Sequence, residues 1–567
     1  ARIVADTVAI PIEQQVNGVE DMLYMQSTSS SDGSYKLVVT FEVGTDLDFA
    51  QVLVQNRVSI AMPSLPPEVQ AQGITTKKVS TAILQVVTLT SPDNRYDSLY
   101  MTNYAQINLK DVISRLPGVG DVVIFGIGSY SMRIWLNPNK LEVLDLTTSD
   151  VIAAIEGQNA QVAAGQIGSP PAPASQSFQY TINVQGRLAE IEQFENIIVK
   201  SEAGDGGRIV RIKDIARVEL GAQTYSQYCE NNGRPSAGIA IFQLPGANAL
   251  DVAKRVGASM DTLSKSFPPG LKYSIPFDTT LFVNASIDEV YKTLYEAAIL
   301  VLFVIMVFLQ DWRAMLVPAT TVPVTIIGAF IAMAALGFTI NMVTLFALIL
   351  AIGIVVDDAI VIVEGAARGV EQGLSPKDAS IKAMSELTGP ILGITLVLMS
   401  VFLPAAFIPG VTGQLYRQFA LVIAATAFIS AVNALTLKPT QCALYLRRRK
   451  GRLNIFYRGF NYVYQRCENA YVAMVGWMVR HSALMMILFI GLITFTGWSF
   501  IKLPTGFLPT EDQGYLLVGV QLPNAASLER TKKITRQLDG ILKNTDGVAE
   551  WITIGGISLI DNSAPLP

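Results

Sequence analysis

Six blocks of mostly apolar residues, at roughly 290–310, 314–337, 340–364, 388–408, 418–440 and 483–503, constrain this chain more than any other feature. About 20 such residues cross the hydrocarbon core of a bilayer as one helix. Six of them in sequence predict a multi-pass α-helical membrane domain (286–505) rather than the buried helices of a large soluble protein. Composition agrees: 50% of the residues are hydrophobic and only 16% charged, where a soluble chain carries about 25%. Residues 1–285 read differently, with charges, Gly/Pro turns and short alternating runs.

Positive charge sets the expected sidedness. Arg447, Arg448, Arg449, Lys450, Arg452 and Arg458 follow the fifth block, Arg368, Lys377 and Lys382 follow the third, and Arg313 sits in the first connection. These loops alternate correctly to share the cytoplasmic side, which places 1–285 and 506–567 on the opposite face. A large domain there needs an earlier span to bring it across. The chain opens inside an amphipathic pattern without Met and stops at NSAPLP, so both ends are expected to be cut. Segment 454–480 is aromatic, basic and helically spaced; it suits the cytoplasmic membrane surface, with a docked soluble helix as the alternative.

A net charge of −4 and the lack of a basic stripe argue against nucleic acid as a partner. Cys229, Cys442 and Cys467 are scattered, and His481 is the only histidine. No disulfide framework, metal site or His-based catalytic centre is expected.

The extracytoplasmic part repeats itself. Val16-Asn-Gly-Val-Glu-Asp, Leu116-Pro-Gly-Val-Gly-Asp and Thr545-Asp-Gly-Val-Ala-Glu each follow an amphipathic helical pattern and lead into a β-rich run. Helix, Gly-Val turn and strand make half of a βαβ unit, with Tyr35–Val43, Ile83–Leu89 and Tyr515–Gln521 as expected pairing strands. The reading is an α+β domain of small ferredoxin-like units. The third copy follows the sixth block, so the order soluble domain, helices, soluble domain begins again, as in transporters built from repeats. Between the copies, Ala163–Gly186 is rich in Gly, Pro, Ser and Ala before alternation resumes, which suggests a protruding arm or else a linker.

Inside the third block stands AIGIVVDDAIVIVEG, with Asp357 and Asp358 adjacent. A carboxylate at mid-membrane costs about 2.5–3.5 kcal/mol on the insertion scale. Neighbouring residues point about 100° apart on a helix, and Asp357 lies about 16 residues, or ~24 Å, into the span. Such a pair is tolerated if it faces a wet cavity, takes up a proton or meets a cation. Burial and mutual repulsion raise carboxyl pKa values, which suits a proton-coupled machine. The alternative is a structural ion pair, for which Lys438 is the nearest candidate in this chain. Glu296 opens the first span as a weaker relay candidate, and Glu364 at the cytoplasmic edge is explained by snorkelling.

Four separated motifs, GIVVDDAIVIVEG (353–365), GFLPTEDQG (506–514), IPGVTGQLYRQF (408–419) and RIWLNPNKL (133–141), resemble the resistance-nodulation-division (RND) superfamily. The resemblance is greatest to its hydrophobe/amphiphile multidrug efflux pumps of Gram-negative inner membranes. It implies a homotrimer of twelve-span subunits, joined to a periplasmic adaptor and an outer-membrane channel. Such a pump exports drugs, dyes and detergents in exchange for protons, with the proton-motive force in place of a cofactor. This chain would hold spans two to seven. It would also hold a first porter subdomain (1–82), a second (83–128 and 223–282), a docking subdomain (129–222) with its arm at 163–186, and the start of a third porter subdomain (506–567). The lysine that pairs with the aspartates would lie in the other half. Carried over by position, Phe125, Phe277, Ile83, Val86, Val123, Ile557 and Leu559 would contact substrate. Ile83, Ile557 and Leu559 stand where well-studied members have phenylalanine, which implies a more aliphatic pocket; ordinary sheet core is the alternative for each. Rival readings are a metal-ion or lipid transporter of the same superfamily, or an intramembrane aspartyl protease. The last needs two carboxylates facing one another across helices.

Overall fold

The computed structural model describes residues 2–30, 33–80, 82–161, 165–168, 170–171, 178–182, 186–201, 209–448, 455–503, 506, 512–523 and 525–557. It divides into two compact units, Ala1–Thr280 with Tyr515–Pro567, and Leu281–Gly514.

In the first unit, Met22–Ser29 (β1) and Tyr35–Phe41 (β2) form an antiparallel hairpin. Val8, Ile12 and Val16 on the helical run 2–16 recur at helical spacing, as do Val54 and Val58 on the Leu47–Ala61 helix. Both sets bury together against the hairpin. Asp46 starts the second helix by accepting from the amides of Asp48 and Phe49.

Ile83–Thr90 (β3), a helical stretch over 98–114 and Val119–Phe125 (β4) follow. The chain then builds a separate body. Tyr130–Leu136 (β5), Gln166–Ile167 (β6), Tyr180–Thr181 (β7), Ile198–Ser201 (β8), Ile209–Arg211 (β9) and Ala216–Ala222 (β10) are its strands. β5 pairs with β10 along its whole length, and Leu141, Val151, Phe194, Ile197, Val210, Ile212, Ile215 and Val218 close a core of their own. Within the described part of 163–186, β6 and β7 pair antiparallel, so the arm is a hairpin there rather than a linker.

Tyr228–Asn231 (β11), Arg234–Gln243 (β12), the Ala249–Ser264 helix and Lys272–Asp278 (β13) return to the sheet. The order is β13-β3-β12, with β4 and β11 sharing the other edge of β12. Two βαβ halves, β3-helix-β4 and β12-helix-β13, therefore interleave in one antiparallel sheet, and the 130–222 body is inserted between them. Val87, Leu89, Ile239 and Ile241 turn one face of the sheet onto Met101, Leu109, Ile113, Val256 and Met260 of the two helices. After the Leu528–Lys543 helix, Ile552–Gly555 (β14) pairs with β11 and extends the sheet.

The three sequence copies share a backbone device. Gly18, Gly118 and Gly547 have φ of 82°, 92° and 92°, a region that costs little only for glycine. Each reverses the chain from helix into β1, β4 and β14 respectively. One expectation fails: Tyr515–Gln521 carries no strand. Alternating residues make a strand only where a ladder partner is available, and no described strand pairs with this segment.

In the second unit all six apolar blocks are helical, as Thr280–Leu309, Trp312–Ala319 with Thr321–Ala335, Met342–Glu371, Pro376–Phe402, Gly410–Tyr445 and Ser482–Lys502. Several overrun the expected blocks because their polar ends stay helical. The second is broken at Thr320, where Pro323 cannot donate a backbone hydrogen bond. Five described helices are long and apolar enough to cross a membrane. The Met342–Glu371 helix has the length as well, but the side chains of Ile352, Val355 and Val356 lie outside the description. Small residues permit close helix approach. A Cβ on Gly369 would stand 2.9 Å from Ala379 Cβ, and one on Gly328 would stand 2.7 Å from Ile429 Cγ2. Segment 455–480 is a separate helix whose start meets the first apolar helix through Phe308, Phe460 and Tyr464.

Candidate proton-relay and substrate-contact sites

The Met342–Glu371 helix carries the acidic pair. Asn341 caps it by accepting from the Thr344 amide at 3.0 Å. Asp357 is exposed and Asp358 half-buried. Ser430 on the Gly410–Tyr445 helix donates its hydroxyl to Asp358 Oδ2 at 3.1 Å. Among the described residues, no ion pair includes either aspartate.

Lys438 is not their partner. It is fully buried, and its ammonium donates to Val317 O at 2.9 Å, Thr320 Oγ1 at 2.8 Å and Gln441 Oε1 at 3.2 Å. The ion-pair alternative within this chain is thereby excluded for Lys438, whose three protons all go to neutral oxygens. It binds at the break in the second apolar helix, through the Val317 carbonyl and the Thr320 hydroxyl. Glu364 pairs with Arg368 at 2.7 Å, both exposed. Glu296 is exposed and makes no hydrogen bond or ion pair among the described residues.

The residues carried over as substrate contacts converge. Val86 and Phe125 are buried in one cluster with Cys229 and Ala240, and Ile83, Val123, Phe277 and Ile557 pack against it. Leu559 lies outside the described residues. Strand register explains the convergence: Ala240 faces Val86 on one side and Val123 on the other, while Gly238 faces Phe125. Period-two alternation puts these on the sheet face opposite the helices. A Cβ on Gly238 would stand 3.0 Å from Cys229 Sγ and 3.6 Å from Phe125 Cβ, so glycine makes room for the ring. The same face turns polar nearby, where Asn231 Nδ2 donates to Thr88 Oγ1 at 3.0 Å and Ser274 Oγ at 3.1 Å.

β14 brings Ile552, Ile554 and Ile557 to this cluster. Its attachment is specific: the Tyr228 hydroxyl lies 2.7 Å from Thr535 Oγ1, and the Tyr228 ring occupies the space a Cβ on Gly555 would need. Burial there pushes the Cys229 thiol up to about 11. Burial, reinforced by Asp539, also raises the Glu230 carboxyl.

Sequence reasoning overlooked Cys229, Ala240, Ile552 and Ile554, whose place follows only from which strands pair. It also overlooked Ser430 and Asn433, for which a signal existed. Thr426, Ser430, Asn433 and Gln441 recur on one side of the Gly410–Tyr445 helix.

The AcrB/AcrD/AcrF family model matches residues 1–566. The chain belongs to this family. It is 41% identical over 562 residues to the multidrug resistance protein MdtF of Escherichia coli K12 and 42% over 568 to the multidrug export protein AcrF of the same strain. It is 42% identical over 566 residues to the toluene efflux pump membrane transporter TtgB of Pseudomonas putida. Each match covers 98% of this chain and 54% of the relative. The chain thus spans about half the length of these RND efflux transporters.

Proposed function

We propose that this chain is the half of an RND pump that drives efflux of hydrophobic and amphiphilic small molecules by proton antiport. The observation that carries the reading is the acidic pair, set in an apolar helix, with Asp358 bonded to the Ser430 hydroxyl and neither carboxylate in an ion pair among the described residues. A carboxyl so placed gains from binding a proton and loses it when the surroundings become wet or cationic. One proton moving through the membrane potential yields about 2.3 kcal/mol per 100 mV. Each tenfold step of uphill transport costs about 1.4 kcal/mol, so one proton per cycle sustains gradients of tens-fold.

In this reading the six apolar helices are spans two to seven of twelve, and the interleaved βαβ sheet is a ferredoxin-like porter subdomain. The 130–222 body docks the outer-membrane channel within a homotrimer completed by a periplasmic adaptor. The cluster around Phe125 is the substrate wall, and the protein sits in the bacterial inner membrane with these domains in the periplasm. Support comes from the family membership and from the printed activities of MdtF, AcrF and TtgB. The test is dye efflux by the full-length protein in energised cells. Asp357→Asn and Asp358→Asn should each abolish efflux at unchanged pump abundance; wild-type efflux in both would overturn the reading.

A further inference from the structure

The largest fully buried side chain among the described residues is a lysine, Lys438, at 0% exposure. It belongs to a helix long and apolar enough to cross a membrane and stands seven residues before its end at Tyr445, or about 10 Å along the axis. A lysine so placed ordinarily extends its ammonium to the interface. This one turns inward, and among the described residues no carboxylate pairs with it. A buried charge without a counter-charge persists only where other groups replace its water, and the proton-driven mechanism above does not use it.

Three oxygens converge on the ammonium from two helices. Val317 O at 2.9 Å and Thr320 Oγ1 at 2.8 Å come from the Trp312–Ala319 helix and the break that ends it. Gln441 Oε1 at 3.2 Å comes from the next turn of the helix that carries Lys438. The oxygens also crowd one another, with Thr320 Oγ1 2.9 Å from Val317 O and 3.0 Å from Gln441 Oε1. The threonine hydroxyl has one proton, so it donates to one of these neighbours and meets the other as oxygen against oxygen. A positive charge at the centre offsets that repulsion. Neutral oxygens gathered around one point are the ligand set of a monovalent cation, whose hydration shell they replace. Lys438 supplies the cation on a tether, with one proton for each oxygen. Methionine in its place would fill the volume and leave buried acceptors without a donor.

We propose that Val317, Thr320 and Gln441 form a cation cage, and that Lys438, by filling it, is a positioning residue for Asp358. The second and fifth apolar segments touch at another point, where a Cβ on Gly328 would stand 2.7 Å from Ile429 Cγ2. A single apolar crossing leaves a helix able to pivot and slide about it. The cage adds a fixed point nine residues on from Ile429, about 13 Å along the axis, and so removes both motions. Ser430 directly follows Ile429 and donates to Asp358 Oδ2. The cage therefore holds the fifth apolar helix in the register at which Ser430 meets Asp358. The cage itself stands on geometry alone, while its bearing on efflux rests on the proton-driven reading.

Two measurements on the full-length protein test this. Lys438→Ala keeps Cβ and removes a propylammonium group, so n-propylammonium chloride is the probe. The purified variant should unfold several degrees below wild type, and the probe should restore most of that shift while leaving wild type unmoved. Equal restoration by 1-propanol at the same concentration would reduce the cage to filled volume, and restoration by neither would overturn it. In energised cells, Lys438→Met should lose about tenfold in dye efflux at unchanged abundance, the scale of one lost hydrogen bond to a charged group. In a Ser430→Ala background the same change should cost under about twofold, because residues that act through one contact are not additive. Normal efflux by Lys438→Met, or an undiminished loss in the Ser430→Ala background, would sink the positioning role. Normal efflux by Asp358→Asn would instead sink the proton-driven reading, and the melting experiment would still decide the cage.

Discussion

Replacing Phe125 by leucine asks whether the cluster on the sheet is a substrate wall or only core. Phe125 is 3% exposed, packed above Gly238 beside Cys229, Val86 and Ala240. Truncation to alanine would open a cavity and cost about 3–5 kcal/mol, so loss of pump could not be told from loss of binding. Leucine leaves a smaller cavity than alanine, so its cost to folding is smaller. What leucine removes is the aromatic face, worth roughly 0.5–1.5 kcal/mol to an aromatic ligand. At 0.59 kcal/mol per e-fold, that corresponds to about a 2- to 13-fold loss. The assay compares efflux of a polyaromatic dye with protection against an aliphatic detergent in the same cells, normalised to pump abundance. Phe125→Leu should lower dye efflux by that factor and leave detergent protection within about 2-fold. A parallel fall in both, tracking abundance, would refute the wall and return Phe125 to ordinary core.

Two further predictions concern the first unit. Gly18→Ala and Gly547→Ala meet the φ penalty alone, about 1–2 kcal/mol, because nothing lies within 4 Å of either added Cβ. Gly118→Ala adds a collision 2.5 Å from Val252 Cγ2, and overpacking adds about 1–3 kcal/mol. It should therefore lower the unfolding temperature most of the three, and equal shifts would discredit the packing account. At Glu230, burial and Asp539 raise the carboxyl pKa. The carboxylate thus opposes folding at neutral pH, and the protonated form relieves this as pH falls. Glu230→Gln should raise the melting temperature of the purified protein at pH 7.5, with the gain vanishing by about pH 4. A gain that persists in acid would contradict the assignment.

Much of the site was legible from residues alone, though unevenly. Asp357 and Asp358 announce themselves because two carboxylates in an apolar block have few physical excuses. The proposed substrate contacts were nameable only by resemblance, since Ile83, Val86 and Val123 are the residues any sheet core would use. Tyr515–Gln521 alternates as a strand should yet is not one, because pairing depends on a partner that local pattern does not report.

The sequence by itself determined that six segments are apolar enough to seek a bilayer, that glycines punctuate three helix-to-strand turns, and that one of the apolar segments holds an acidic doublet. These follow from hydropathy, φ preference and helical period, which act over a few residues. The tertiary structure alone decided that Ser430 meets Asp358 and that Lys438 spends its charge on Val317, Thr320 and Gln441 instead. It alone brought β14 to β11, adding Ile557 to Phe125 and Phe277. Apart from Lys438 with Gln441, which share a helix, those contacts join residues tens to hundreds of positions apart, and their energies depend on which faces meet, a quantity no local stretch of chain contains.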